Sequence, residues 1–332
     1  MKKQKYLSWI KIAIIGSLLI VGLSYESTNC QAAEKYPSRP IQVVIGYEPG
    51  STDQALKPFI DKMAEVLGQP MNFVFKPGAG ASIAGTYVAS SKPDGYTLMG
   101  ASLGPLITSP LTMKGINYTL EDFTPLCRTS AQATALMVKP DARWKTLKEF
   151  IDEAKKTPGK LNYATSGVLG TNHIPMEMLQ KAAGCKLTHI PTTGSEAVLT
   201  ALLGGHVDMG LAPMNAAAPQ LKSGQLRALA FIHTQKVADY PDVPTLVELG
   251  YPITYSGYFV LVGPKGMPAD VVQTLIGASD RVMEVHKKEI QDQWKNLSLD
   301  TAYLKGEDLA KLLRTDRDNT KKIIDEIQKS GK

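Results

Sequence analysis

Four times in this chain a short apolar run ends in a loop of small residues that opens a helix, and this alternation constrains the fold more than any other feature. The loops are Pro49-Gly50-Ser51-Thr52-Asp53, Pro77-Gly78-Ala79-Gly80-Ala81-Ser82, Ser166-Gly167-Val168-Leu169-Gly170-Thr171-Asn172 and Thr192-Thr193-Gly194-Ser195. "IQVVIGY" (41–47) precedes the first, and Leu56, Phe59, Ile60, Met63 and Leu67 then recur at helical spacing up to Gly68. "MNFVF" precedes the second, "ASIAGTYVASSK" follows it, and Pro93-Asp94-Gly95 turns into the strand "YTLMGAS". Thr146-Leu147-Lys148-Glu149 is a capping box that opens a helix ending at Pro158-Gly159. Beyond it come "LNYAT", the helix "MEMLQKAAG", "LTHIP", the helix "SEAVLTALLGG", "VDMGLAP" and "LRALAFI". Such βα repetition predicts an α/β fold of mostly parallel sheets flanked by helices, and its length predicts two lobes. No Gly/Ser or Pro linker divides the chain, so the lobes are expected to share crossing strands. The C-terminal segments 269–294 and 308–328 read as amphipathic helices packed on the first lobe.

The N-terminus is set aside. "MKKQK" followed by the 12-residue apolar core "IAIIGSLLIVGL" and the small-residue site Cys30-Gln31-Ala32-Ala33 reads as a secretory signal peptide, residues 1–33, on an exported protein. Ser27-Thr28-Asn29 before Cys30 weighs against a lipoprotein. Removing this segment takes away Lys2, Lys3, Lys5, Lys11 and Glu26, and the formal charge falls from +6 to +3. An unclustered surplus of that size argues against nucleic acid and a polybasic membrane patch. Cys127 and Cys185 remain, free to pair in an oxidising compartment or to lie as buried thiols.

Charge also narrows the chemistry of the loops. Helix N-termini present unpaired N–H groups that favour anions, and in α/β sheets ligands gather beyond the carboxyl ends of the strands. The only cation in the four loops is Lys76, at an edge, so a small carboxylate fits better than a phosphate. "GAGASIAG" is not a dinucleotide fingerprint, because Ile83 holds the third glycine's place, and no G-K-[ST] occurs. The five histidines are scattered without ligand spacing, so neither metal nor cofactor is expected. Gly100-Ala101-Ser102-Leu103-Gly104 matches G-x-S-x-G after a strand, which gives a second reading: an exported serine hydrolase with Ser102 as nucleophile, drawing on Asp122, Asp141, His206 or His233.

The stretches "YPSRPIQVVI", "PGSTD", "KPGAGASIAG", "KPDGYTLM", "DFTPL", "TLKEFIDEAKKTPGKLNYATSG", "HIPTTGSEAVLTALLGGHVD", "LKSGQLRALA" and "PDVPTLVELGY" occur in an order that resembles the Bug-type extracytoplasmic solute receptors, the TctC substrate-binding proteins of tripartite tricarboxylate transporters. The likeness runs from about Tyr36 to the C-terminus. It implies a two-lobed periplasmic-binding-protein fold of the second topological type, monomeric, with a ligand cleft between lobes and membrane permease subunits as partners. The implied lobes are 34–131, 132–232 and a return of the first at 233–332. The implied ligand residues are Tyr47, Glu48, Gly50, Ser51, Thr52 and Asp53; Gly78, Ala79 and Gly80; Ser102; and, from the other lobe, Ser166, Gly167, Thr171, Asn172, His173, Thr192, Thr193 and Gly194. The protein would bind without chemistry, in the periplasm, feeding a permease or a signalling partner.

The chain departs from the pattern at several places. Glu48 stands in a first loop whose usual form is uncharged, and beside an anion it would repel a second carboxylate, leaving room for an amino acid or amide. Ala212-Pro213-Met214 replaces a frequent acid, and Thr192 a frequent aromatic. Pro58 inside the first helix removes a backbone hydrogen bond, so a kink or restart is expected there.

Overall fold

The computed structural model describes residues 36–254 and 257–330, so the signal-peptide reading lies outside the described residues. Two sheets organise the chain from Arg39 onward. The first has six strands in the order β11-β4-β10-β3-β1-β2, and the second five, in the order β7-β6-β8-β5-β9. In the first sheet β1 (Ile41–Ile45) lies between β2 (Met71–Phe75) and β3 (Thr97–Ala101), parallel to both. β10 (Gly257–Pro264) is antiparallel to β3 and to β4 (Phe123–Gln132), and β11 (Asp300–Lys305) pairs with β4 at the edge. In the second sheet β6 (Asn162–Ser166) is parallel to β7 (Thr188–Thr192) and β8 (Met209–Pro213), while β5 (Thr134–Val138) is antiparallel to β8 and β9 (Arg227–Ile232).

The sheets are therefore mixed rather than mostly parallel. Parallel pairing is confined to the βαβ units read from the sequence. The antiparallel pairs come from strands at the crossings: β4 ends at Gln132 and β5 starts at Thr134, so the chain passes from one sheet to the other across Ala133 alone. It returns after β9 and re-enters the first sheet as β10.

Helices cover the sheets where apolar spacing demands it. α1 (Ser51–Leu67) buries Ala55, Leu56, Phe59, Ile60 and Met63, and it runs as one helix through Pro58, whose ring is itself buried. α2 (Ser82–Ala89) follows the second small-residue loop. α3 (Leu147–Lys156) starts at the Thr146 cap, but only half of the expected capping box closes: Thr146 Oγ1 accepts from the Glu149 N–H at 3.2 Å, while Glu149 Oε2 accepts from the N–H of Lys145, one residue before the cap, at 2.5 Å. In the second half α4 (His173–Ala183), α5 (Ser195–Leu203) and α6 (Met214–Lys222) each follow a strand of the second sheet. Apolar cores lie on both faces of that sheet, one around Phe150, Tyr163 and Leu179, the other around Val198, Leu202 and Phe231.

The C-terminal helices α7 (Ala269–Val285) and α8 (Lys287–Asn296) pack on α1 of the first half, and α9 (Gly306–Ser330) lies along β4 and reaches α4. Trp294 of α8 is fully buried; its ring stacks on Phe59 at 6.2 Å between centroids and its indole N–H donates to the Ala55 carbonyl at 2.8 Å. Cys127 and Cys185 are both free thiols, Cys127 in the core of β4 with its pKa pushed up to about 12 by burial. Trp294→Ala is expected to lower unfolding free energy in urea by about 3–5 kcal/mol, because cavity and hydrogen-bond losses coincide. A loss under about 1 kcal/mol would contradict this packing role.

Candidate functional site

Backbone chemistry at strand ends places the site. β1 and β3 end side by side in the first sheet and β6 and β8 in the second, and the segments leaving those ends meet around a cavity of about 270 Å³. The first half contributes Tyr47, Ser51 and Thr52 after β1, Ser102 and Leu103 after β3, Gln132 at the end of β4, and Gly257 and Phe259 of β10. From the second half come Ser166 at the end of β6, Thr171 and Asn172 before α4, Ser195 opening α5, and Pro213 ending β8. The wall is built of hydroxyls, two carboxamides and the starts of helices, and no Lys or Arg is among these residues.

Helix starts supply the donors. The first turn of a helix has N–H groups with no intrahelical acceptor, and the helix dipole makes that end favourable to negative charge. At α1 the Asp53 carboxylate already accepts the Gly50 N–H at 2.6 Å, so the helix caps itself at one donor, while Ser51 and Thr52 face the cavity. Across the cavity the Asn215 amide of α6 donates to Ser51 Oγ, a hydrogen bond that joins the two halves at its rim. Tyr47 is 37% exposed as a residue, yet its hydroxyl lies over Gly104 beside Ser102; burial raises its pKa and the Ser102 hydrogen bond partly offsets this. It is a neutral hydrogen-bonding group at any physiological pH.

The 166–172 loop is held from beneath by a buried polar network. The Leu169 N–H donates to His173 Nδ1 at 2.8 Å, which places the His173 proton on Nε2, facing Glu177 Oε1 at 3.2 Å. Glu177 also accepts from the Tyr163 hydroxyl and from Gln180 Nε2, each at 2.8 Å. Burial alone would raise the Glu177 pKa, but its hydrogen bonds from His173 and Tyr163 outweigh burial and lower it. His189 stacks on His173 at 3.8 Å and meets Thr165 Oγ1 at 2.8 Å; burial, then the neighbouring His173, push its pKa down to about 4.

Of the expected site residues, Tyr47, Ser51, Thr52, Ser102, Ser166, Thr171 and Asn172 line one cavity. The others lie around it. Glu48 is exposed and outside the lining, and Gly50 and Asp53 form the α1 cap. His173 serves the loop network, since both its ring nitrogens are engaged there. Thr192 donates to the Thr165 and Gly194 carbonyls at 3.3 and 3.0 Å, and the Gly167 N–H donates to the Thr192 carbonyl at 2.9 Å, which stitches the two loops together. Thr193 is exposed beside Gly194. Gly78, Ala79 and Gly80 are exposed and outside the lining; with Ala81 they form four successive residues of positive φ, and Ser109 Oγ donates to the Gly80 carbonyl at 2.8 Å. This loop touches the first through Gly46, where an added Cβ would come 2.4 Å from Ala81 Cβ. Gln132, Gly257 and Phe259 escaped the sequence reading, and Leu103, Ser195 and Pro213 were read there as parts of motifs without being named as ligand residues.

A larger groove, about 970 Å³, runs between α4 and α9 and is lined by side chains from helix interiors such as Met178, Ile323 and Ile327. Interior helix amides are already paired, so that groove lacks the backbone donors of the cavity. Among the described residues no group of His, Cys, Asp and Glu could hold a metal ion, and no helix is long and apolar enough to cross a membrane.

Two sheets joined by crossing strands around one polar cavity define the class as a two-lobed binding protein of the periplasmic-binding-protein type. The chain belongs to the tripartite tricarboxylate transporter receptor family: the family model TctC, described as "Tripartite tricarboxylate transporter family receptor", matches residues 57–329. Relatives include "UPF0065 protein in gbd 5'region" of Cupriavidus necator, 34% identical with 96% of each chain covered. "Protein BugT" of Bordetella pertussis is 32% identical over 78% of this chain and 81% of its own. Among solved structures, a TctC solute-binding protein from Polaromonas is 29% identical with TM-score 0.76 over 88% of this chain and 99% of that one. MatC from Rhodopseudomonas palustris with bound malate is 26% identical with TM-score 0.72, covering 87% and 100%. Members of this family are solute receptors, so the protein binds rather than catalyses. The hydrolase reading falls on that ground.

The depressed His189 pKa sets a sign for stability. A histidine held neutral in the fold takes up its proton more readily when unfolded, so its contribution is complete above about pH 6.5 and is lost as pH falls towards about 4. The Glu177 carboxylate, also depressed, adds a loss at the acid end of the same descent. The thermal midpoint is expected to fall from pH 7 to pH 4.5, with a flatter slope in His189→Gln; parallel slopes in scanning fluorimetry would contradict the assignment.

Proposed function

We propose that the protein is a periplasmic solute receptor that clamps a small carboxylate-bearing molecule between its two halves and delivers it to membrane permease subunits. Its lobes are 34–131 with 233–332, and 132–232, and it works as a monomer. The observation that carries the reading is that helix starts from both halves face one cavity lined by hydroxyls and amides without a basic side chain. A carboxylate suits such a place: it accepts several N–H and O–H donors at once, and charge-assisted hydrogen bonds in a water-poor cavity are stronger than neutral ones. The volume agrees with a small metabolite, since about 270 Å³ lies just below the roughly 300–1,000 Å³ of pockets that take drug-sized ligands. The malate held by the Rhodopseudomonas relative supports the same ligand class.

Closure gives the binding event its consequence. A solute that touches both halves favours the state in which they approach, and only a difference in affinity between open and closed states can drive that shift. The closed surface is what a permease would recognise. No residue in the cavity is asked to move a proton or form a bond.

Titration calorimetry with a panel of small mono- and dicarboxylates tests the proposal. At least one is expected to bind, and Ser102→Ala and Thr171→Val, one from each half, should each weaken it by roughly tenfold or more, the effect of removing a hydrogen bond to a charged group. A panel with no binder, or weakening confined to one half, would overturn the clamp.

A further inference from the structure

We infer that Gln132 reads the end of the solute away from its carboxylate and selects a primary carboxamide or hydroxyl there over a second carboxylate. The inference rests on the carboxylate reading above and names the ligand class within it. Gln132 is the last residue of β4, one step before the chain crosses to the other sheet, and it stands opposite Gly257 of β10. It forms part of the cavity wall, is 9% exposed, and its Oε1 is buried without a hydrogen-bond partner. Gly257 makes room for it, since a Cβ there would come 3.0 Å from Gln132 Nε2.

A buried carboxamide with unmet polar groups is destabilising unless something else satisfies it, and native structures leave few such groups. A carboxylate only accepts, so it can serve the Gln132 N–H groups and leaves the oxygen unmet. A carboxamide or hydroxyl both donates and accepts, and serves both ends. The rest of the lining points the same way. None of its side chains is a Lys or Arg that would neutralise a second negative charge. At the rim Asn215 Oδ1 is likewise buried without a partner while its amide nitrogen holds Ser51, so the second unmet group at the cleft is also an acceptor.

Isosteric pairs separate the possibilities: succinate against its monoamide succinamate, and glutarate against glutaramate, measured by calorimetry at neutral pH on the full mature chain. For a pair that binds, the monoamide is expected to be at least about tenfold tighter, because a site with buried polar groups rejects the partner that leaves them unpaired. Gln132→Met, of similar length, should bring the two members of the pair together, and Gln132→Glu should widen the gap by repelling the diacid. Equal affinities, a preference for the diacid, or a ratio unchanged in Gln132→Met would overturn the assignment while leaving the carboxylate clamp standing. Failure of all four acids to bind at millimolar concentration would remove the clamp and this inference with it.

Discussion

An α-helix cannot satisfy its own first amides, and the rest of this molecule is arranged around that deficit. Each helix that faces the cavity follows a strand, so the carboxyl ends of the strands fix where the free N–H groups gather. Two sheets bring two sets of such ends together because β4 runs into β5 across a single residue, Ala133. Had the crossing been a long flexible linker, the two sets of donors would have had no fixed relation. The short crossing makes them walls of one cavity.

Among the described residues the lining carries no Lys or Arg, and this shapes the proposed clamp. A guanidinium would hold an anion on one lobe whatever the other lobe did. Dipoles and hydroxyls are individually weak and gain strength only where water is excluded, so the pull on an anion depends on both halves being near. Under the proposed clamp, weak donors on two lobes would couple binding to closure more tightly than one strong cation. Asp53 shows the same physics turned inward, a carboxylate of the chain itself seated on the Gly50 amide.

Much of this was legible in the sequence, and the remainder was hidden for physical reasons. The βα units announced themselves because apolar spacing and small-residue loops are local signals, and the helix after Thr146 began as read, capped by the Thr146 side chain. β4, β5, β10 and β11 were not read, since their pairing partners lie far along the chain and their antiparallel register depends on the crossings. The same crossings turned sheets expected to be mostly parallel into mixed ones. Gln132 was invisible for that reason: a glutamine at a strand end carries no local signature until the fold sets Gly257 beside it. His173 carried the opposite risk. It sat in a ligand loop by position, but Leu169 and Glu177 take both its ring nitrogens, so it shapes the loop instead. The glycine-rich stretch Gly78–Ala81 is a turn of unusual backbone, and its four positive φ values lie next to the first loop, outside the cavity lining.

Hydrogen–deuterium exchange at single-amide resolution, with and without a saturating carboxylate solute, tests the central claim most directly. The account predicts joint protection of the Ser51 and Thr52 amides at the start of α1 and of Ser195 at the start of α5, rising together along the titration. Protection on one half alone, or a bound solute that leaves all three amides exchanging as before, would contradict it.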